Sequence, residues 1–457
     1  MIRKLLTTVL ATLGFAVALA QQPVTISGVI KTKHLSSLKL FKVNDGKLEE
    51  VATANAGPSN TFGFLFYPPY EGVYVIGAGE PPSPVDKYLF YFKGGDHLSV
   101  DINDNGYTLT GAVNTKENKV LAQWYQLCDS IHLKSFHFSR TSSIYTDFFP
   151  QLEKVVATSA GFLKGKATGN KVFDQQVKDI MKMDLVSYAT NFITTPRSRH
   201  PEAKEWSPFY ATLKPQDLTK ETGLIYHYPW GARTLNALIM VDMMRTGMAF
   251  SGGIAGLKNM FTLVANDTLK GDMVLERCKG LRSFDEYDAY TKAFGNYILS
   301  PRQQIEAKMI LLGLEGMKQG DNAYNFSLPD EKGNLVHLSD LKGKVVLVDL
   351  WATWCGPCKA QEPYWEKLKE QYENKPLAMV GISTDADKKA WDKYVAGRKM
   401  TGIQLHAGAQ SDMSLRYKVN SIPRYLLIDK EGKIITTDSP RPDNPELQTL
   451  IDKWIAK

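Results

Sequence analysis

Residues 344–358 read KVVLVDLWATWCGPC, an apolar run with one acid that stops just short of two cysteines three positions apart. Lys344 to Trp351 is continuously apolar apart from Asp349, the pattern of a strand covered on both faces. A helix of roughly fifteen residues should follow it, opening within Cys355–Cys358 and broken only by Pro363. That arrangement puts Cys355 at the first turn, near unpaired backbone N–H groups and the positive end of the helix dipole, which favour the thiolate that attacks disulfides. Cys358, one turn on, can reach back and displace a mixed disulfide. Pro357 is tolerated because its missing N–H would be unsatisfied at a helix start anyway. Attack by Cys355 and resolution by Cys358 complete a dithiol–disulfide cycle with no bound cofactor.

A structural zinc site fits the same motif poorly. It needs four ligands, while the other two cysteines, Cys128 and Cys278, stand singly, His337 and His406 are unpaired in sequence, and His132 and His137 lack the spacing of one helix face. No metal is therefore expected. A peroxidatic site would want Thr three residues before its cysteine, where Cys355 has Ala352. A static disulfide stays open on composition alone, but a four-residue loop between strand and helix is the geometry of a redox pair. Cys128 and Cys278 are either buried thiols or one structural bridge.

Around this motif the chain changes grammar three times. Residues 1–20 carry Arg3 and Lys4, an apolar stretch from Leu5 to Ala18, and the small-x-small ending Ala18-Leu19-Ala20. They read as a cleaved export signal, with no permanent membrane anchor. From 21 to 111 short strand-like runs (Leu38–Val43, Phe62–Tyr67, Val73–Ile76, His97–Ile102) are separated by Asp45-Gly46, Pro68-Pro69 and Gly94-Gly95-Asp96, an all-β sandwich-like pattern. From 112 to 320 the period is helical: Val120, Leu121, Trp124, Leu127 and Cys128 share a stripe. Met240, Met243, Met244 and Met248 fit a helix core better than a binding groove. From 321 to 457 strand alternates with helix, with buried strand Leu377–Ser383, helix Asp387–Arg398, hairpin Arg424–Thr437 and closing helix Glu446–Ile455, an α/β domain with a mixed sheet. The formal charge of +7 is spread over 457 residues with no run of five basic ones, so nucleic acid is not an expected partner.

Residues 321–457 resemble the thioredoxin-fold domain of the TlpA/ResA-like thiol–disulfide oxidoreductases. The resemblance rests on Trp354-Cys355-Gly356-Pro357-Cys358, on Asp349 six residues before the first cysteine, on Ile422-Pro423 ahead of the strand Arg424–Asp429, and on the lead-in Asn325–Asp330. It implies Cys355 and Cys358 as a redox-active disulfide, Pro423 as a cis-proline facing it, and the Ile422 backbone free to pair with an extended substrate. Trp354 would cover the dithiol as an apolar lid. The family often has Glu three residues after the second cysteine; here Gln361 stands there, and Glu362 is turned about 100° away on a continuous helix. Proton transfer at Cys358 then falls to Asp349, whose burial should raise its pKa. Gly356-Pro357 is the thioredoxin dipeptide and tunes the pair toward the reducing end, near about −270 mV. The expected function is an exported, periplasmic reductase of protein disulfides, recharged by a membrane-embedded thiol donor. The family's typical clients are apocytochrome c thiols and mis-oxidised envelope proteins. Oxidase or isomerase action, or client binding by residues 21–320 with an accessory dithiol, stay open from sequence.

Overall fold

The computed structural model describes residues 22–104, 106–137, 141–398, 400 and 402–457; the export segment expected at 1–20 lies outside them. The chain divides into two compact units between Asn266 and Asp267.

In the first unit β1 (Val24–Val29), β2 (Ser37–Asn44), β3 (Lys47–Asn55), β4 (Thr61–Phe66), β5 (Gly72–Gly77), β6 (Lys87–Phe92), β7 (His97–Asn103) and β8 (Gly106–Leu109) form two sheets, ordered β4-β1-β7-β8 and β3-β2-β5-β6. Ile26, Phe64 and Leu98 of one sheet and Leu40, Tyr74 and Phe90 of the other share a core, the sandwich that the alternation predicts. Neighbouring strands pair antiparallel except β1 with β7, which run parallel. Gly28 permits that close pairing, since a Cβ there would lie 1.6 Å from the Val100 carbonyl oxygen. β5 and β6 read as unbroken apolar runs because both faces are covered. Tyr74 and Phe90 enter the sandwich core, while Val73 and Tyr91 pack on the helices. Asn118 closes the open edge of β6, accepting from the Tyr91 N–H at 2.8 Å and donating to its carbonyl at 3.0 Å.

Helices Lys116–Phe136, Tyr145–Ser159, Lys171–Thr194 and Gly231–Thr246 complete this unit. Met243 is buried, but Met240 and Met244 are exposed, so only part of the expected methionine stripe is core.

The second unit opens with helices Asp267–Lys279, Phe284–Phe294 and Pro301–Leu312. After a small hairpin of β9 (Ser327–Pro329) and β10 (Leu335–His337) come β11 (Val345–Trp351), β12 (Leu377–Ser383), β13 (Ile403–His406), β14 (Arg424–Ile428) and β15 (Ile434–Thr436). Their order is β13-β12-β11-β14-β15, with β11, β12 and β13 parallel and β14 and β15 antiparallel, the mixed sheet that the sequence predicts. Helices Glu362–Gln371 and Pro445–Ile455 pack Trp365, Leu368, Leu447 and Ile451 against Val345, Leu347 and Leu427 of one face. Helix Lys388–Arg398 places Trp391 and Val395 in a second cluster with Trp351. Among the described residues no helix is long and apolar enough to cross a membrane.

Candidate functional site

β11 is the central strand, so its C-terminal end delivers residues 352–358 to the sheet's rim. Cys355 and Cys358 are joined in a disulfide, their Cα atoms 5.3 Å apart. Cys355 caps the short helix Gly356–Lys359, and its Sγ accepts the Cys358 N–H at 3.1 Å. This is the contact with an unpaired helix-start amide that the motif predicts. Pro357 occupies the first turn. Each cysteine is 4% exposed, whereas Trp354 is 70% exposed and Gly356 and Pro357 are also open to solvent. Trp351, Ala352, Trp391 and Val395 surround the sulfurs, with Ile422 packed against them. The Ile422–Pro423 bond is cis.

The loop ahead of the cysteines hangs on Asp385, 2% exposed, just past the end of β12. Its carboxylate accepts from the Thr353 N–H at 2.9 Å, the Thr353 hydroxyl at 2.7 Å and the Ser383 hydroxyl at 2.7 Å. Sequence reasoning passed over Asp385. An acid immediately after a buried strand, beside the rim where the motif must sit, was the available signal.

Asp349 projects from β11 into a narrow cleft of about 20 Å³ that it shares with Cys358, Glu362, Trp365 and Gln404. Its Oδ1 is buried without a hydrogen-bond partner. Burial pushes the carboxyl up to about 8; the neighbouring Tyr425 hydroxyl opposes the shift and the charge of Glu362 adds to it. Tyr425 lies opposite Asp349 on β14, but its hydroxyl makes no well-formed hydrogen bond, so its opposition is weak. The raised pKa predicted for a buried carboxylate is thus present, and its first cause is desolvation.

Glu362 departs from expectation. The helix after the disulfide is interrupted at Ala360–Gln361, one segment ending at Lys359 and the next starting at Glu362, with Pro363, the expected breaker, in the first turn of the second segment. Ala360 and Gln361 keep right-handed helical angles between the segments, and Glu362, four residues after Cys358 and so near the same face, lines the Asp349 cleft instead of turning away. The Tyr394 hydroxyl donates to Glu362, and Arg398 lies 3.9 Å from its carboxylate. Gln361 is buried and accepts the Asp443 N–H at 3.2 Å, a structural tie rather than a proton carrier.

Cys128 and Cys278 are free, buried thiols, not a bridge. Burial pushes Cys278 up to about 11 and Cys128 further still. Among the described residues no cluster of three His, Cys, Asp or Glu is placed to hold a metal.

Residues 318–451 match the Redoxin family model. The chain is 31% identical over 128 residues to the thiol–disulfide oxidoreductase ResA of Bacillus subtilis, covering 28% of this chain and 70% of that protein. ResA of Bacillus cereus is 32% identical over 141 residues, covering 30% and 80%. Among solved structures, the thioredoxin domain of a thiol–disulfide oxidoreductase from Bacteroides vulgatus is 31% identical, covering 30% of this chain and 97% of that one with a TM-score of 0.28.

Proposed function

This chain belongs, through its C-terminal region, to the ResA-like thiol–disulfide oxidoreductases of the Redoxin family, and from that premise we propose that it reduces protein disulfides through Cys355 and Cys358. The Cys355 thiolate attacks a client disulfide, forming a mixed disulfide and expelling one client thiolate. The Cys358 thiolate then attacks the Cys355 sulfur, releases the second client thiol and leaves the Cys355–Cys358 disulfide. Two electrons pass to the client, and an external thiol donor must return them before the next turnover. Asp349 accepts the Cys358 proton in the resolving step, Ile422 and Pro423 seat the client backbone, Trp354 offers it an apolar surface, and Gly356-Pro357 hold the pair toward the reducing end.

The carrying observation is the Cys355 sulfur at the helix start, taking the Cys358 N–H, with Cys358 lining the same cleft as a carboxyl pushed up to about 8. In that setting Cys355 is the easier thiol to ionise, and the carboxyl beside its partner, matched to the thiol range, takes a proton through its ionised fraction. The chain is read as exported, with residues 1–20 as the signal, 21–111 and 112–320 as the β and helical domains and 321–457 as the catalytic domain. It works on envelope proteins and is recharged by a membrane-embedded donor. Insulin reduction tests the cycle: it should vanish in Cys355→Ser, and Cys358→Ser should accumulate mixed disulfides. Undiminished turnover in Cys355→Ser would overturn the assignment.

A further inference from the structure

Arg282 lies well ahead of residue 318, where the family resemblance begins, yet it reaches the wall of the proposed client site. It sits between helices Asp267–Lys279 and Phe284–Phe294, and Ser283 caps the second of these by accepting the Asp285 N–H at 3.2 Å. Two inward donors hold the Arg282 carbonyl: Arg424 Nη2 at 3.0 Å and the Thr437 hydroxyl at 2.8 Å. Arg424 is itself 1% exposed and its Nε and Nη1 donate to the carbonyls of Thr437 and Lys418, so it serves as a buried strut. The backbone of Arg282 is therefore fixed, and its guanidinium is free to act at the surface. There it donates to the Ser421 hydroxyl, two residues before Pro423, and lies 3.7 Å from Asp438.

Arg282, Pro423, Asp438 and Arg441 line one open polar groove of about 480 Å³. Its far wall is tied to the junction that follows the disulfide helix, because the Asp443 N–H donates to Gln361. Pro423 on one edge of the groove follows Ile422, which packs against the apolar cluster that holds the two cysteines.

We propose that Arg282 is a positioning residue for extended polypeptide substrates: by clamping Ser421 it holds the Ser421–Pro423 backbone in the form that pairs with a client strand. This rests on the reductase reading above, and it makes the helical segment ahead of the family-like region part of the enzyme. A small disulfide needs only the sulfurs, whereas a folded or extended protein client needs the edge, so preorganisation is felt in the second alone.

The test compares insulin with glutathione disulfide as oxidants of the reduced full chain. Arg282→Ala should lower the ratio of kcat/KM for insulin to that for glutathione disulfide about 5–10-fold, chiefly through a higher KM, as loss of one charge-assisted hydrogen bond predicts. Ser421→Ala removes the same clamp from an exposed position and should reproduce the shift even if Arg282→Ala folds poorly. An unchanged ratio in Ser421→Ala overturns the proposal, as does a loss carried wholly by kcat. A wild-type chain that exchanges with neither oxidant would instead defeat the reductase reading.

Discussion

Replacing Asp349 with Asn should make the oxidised protein more stable near neutral pH, not less. The carboxyl lies at about 8 in the fold against 3.8 for an ordinary aspartate. Between those values the folded chain holds a proton that the unfolded chain has released, so stability falls as pH rises through the window and levels off above the folded pKa. Each pH unit costs about 1.4 kcal/mol, so by pH 7 the wild type should have lost roughly 4 kcal/mol relative to pH 4. Asn is a neutral isostere with no such titration. Urea unfolding of the oxidised wild type and Asp349→Asn, followed by tryptophan fluorescence from pH 4 to 9, reads the difference. The two should agree to within about 1 kcal/mol at pH 4 and diverge steadily to pH 8, with the variant the more stable. Parallel curves across that range would mean that the carboxyl is not raised in the fold, which would leave it too weak a base to take a proton from a thiol.

Asp385→Ala should strand the Thr353 N–H and hydroxyl, lower stability by about 3 kcal/mol in chemical denaturation, and slow insulin reduction by loosening the loop that carries Cys355. A loss below about 0.5 kcal/mol would show that the loop is held elsewhere. Thiol titration of the native oxidised chain should find no fast-reacting sulfur, because Cys128 and Cys278 are buried and held in the thiol form. Rapid labelling of either would contradict their burial. Gly28→Ala should lower the melting temperature by several degrees, because the new Cβ forces β1 and β7 apart; an unchanged melting curve would refute that close approach.

The C-terminal architecture was legible because its strands carry apolar runs on a buried sheet and its turn carries a redox motif. β3, Lys47–Asn55, was not: only Leu48 is buried, so an edge strand reading KLEEVATAN shows no alternation. Other strands of the sandwich were visible as runs, but their order was not, since a parallel β1–β7 contact depends on Gly28 and on distant pairing. The helical middle is one periodic stretch in sequence, yet the division after Asn266 falls inside it, and a change of packing partner leaves the period untouched. At the site Asp349 could be read from its place on a buried strand. Asp385 and Arg282 could not, because their roles come from a loop anchor and from a segment packed from far upstream, whereas the i, i+4 spacing of Cys358 and Glu362 was there to be read.

The account stands or falls on the Cys355 thiolate. Iodoacetamide labelling of the reduced chain, followed by mass spectrometry across pH 5 to 10, measures it directly. Cys355 should alkylate first, with a midpoint below the ordinary thiol value of about 8.5, while Cys358 lags. A midpoint at or above that value for Cys355, or faster labelling of Cys358, would contradict the assignment of the attacking sulfur.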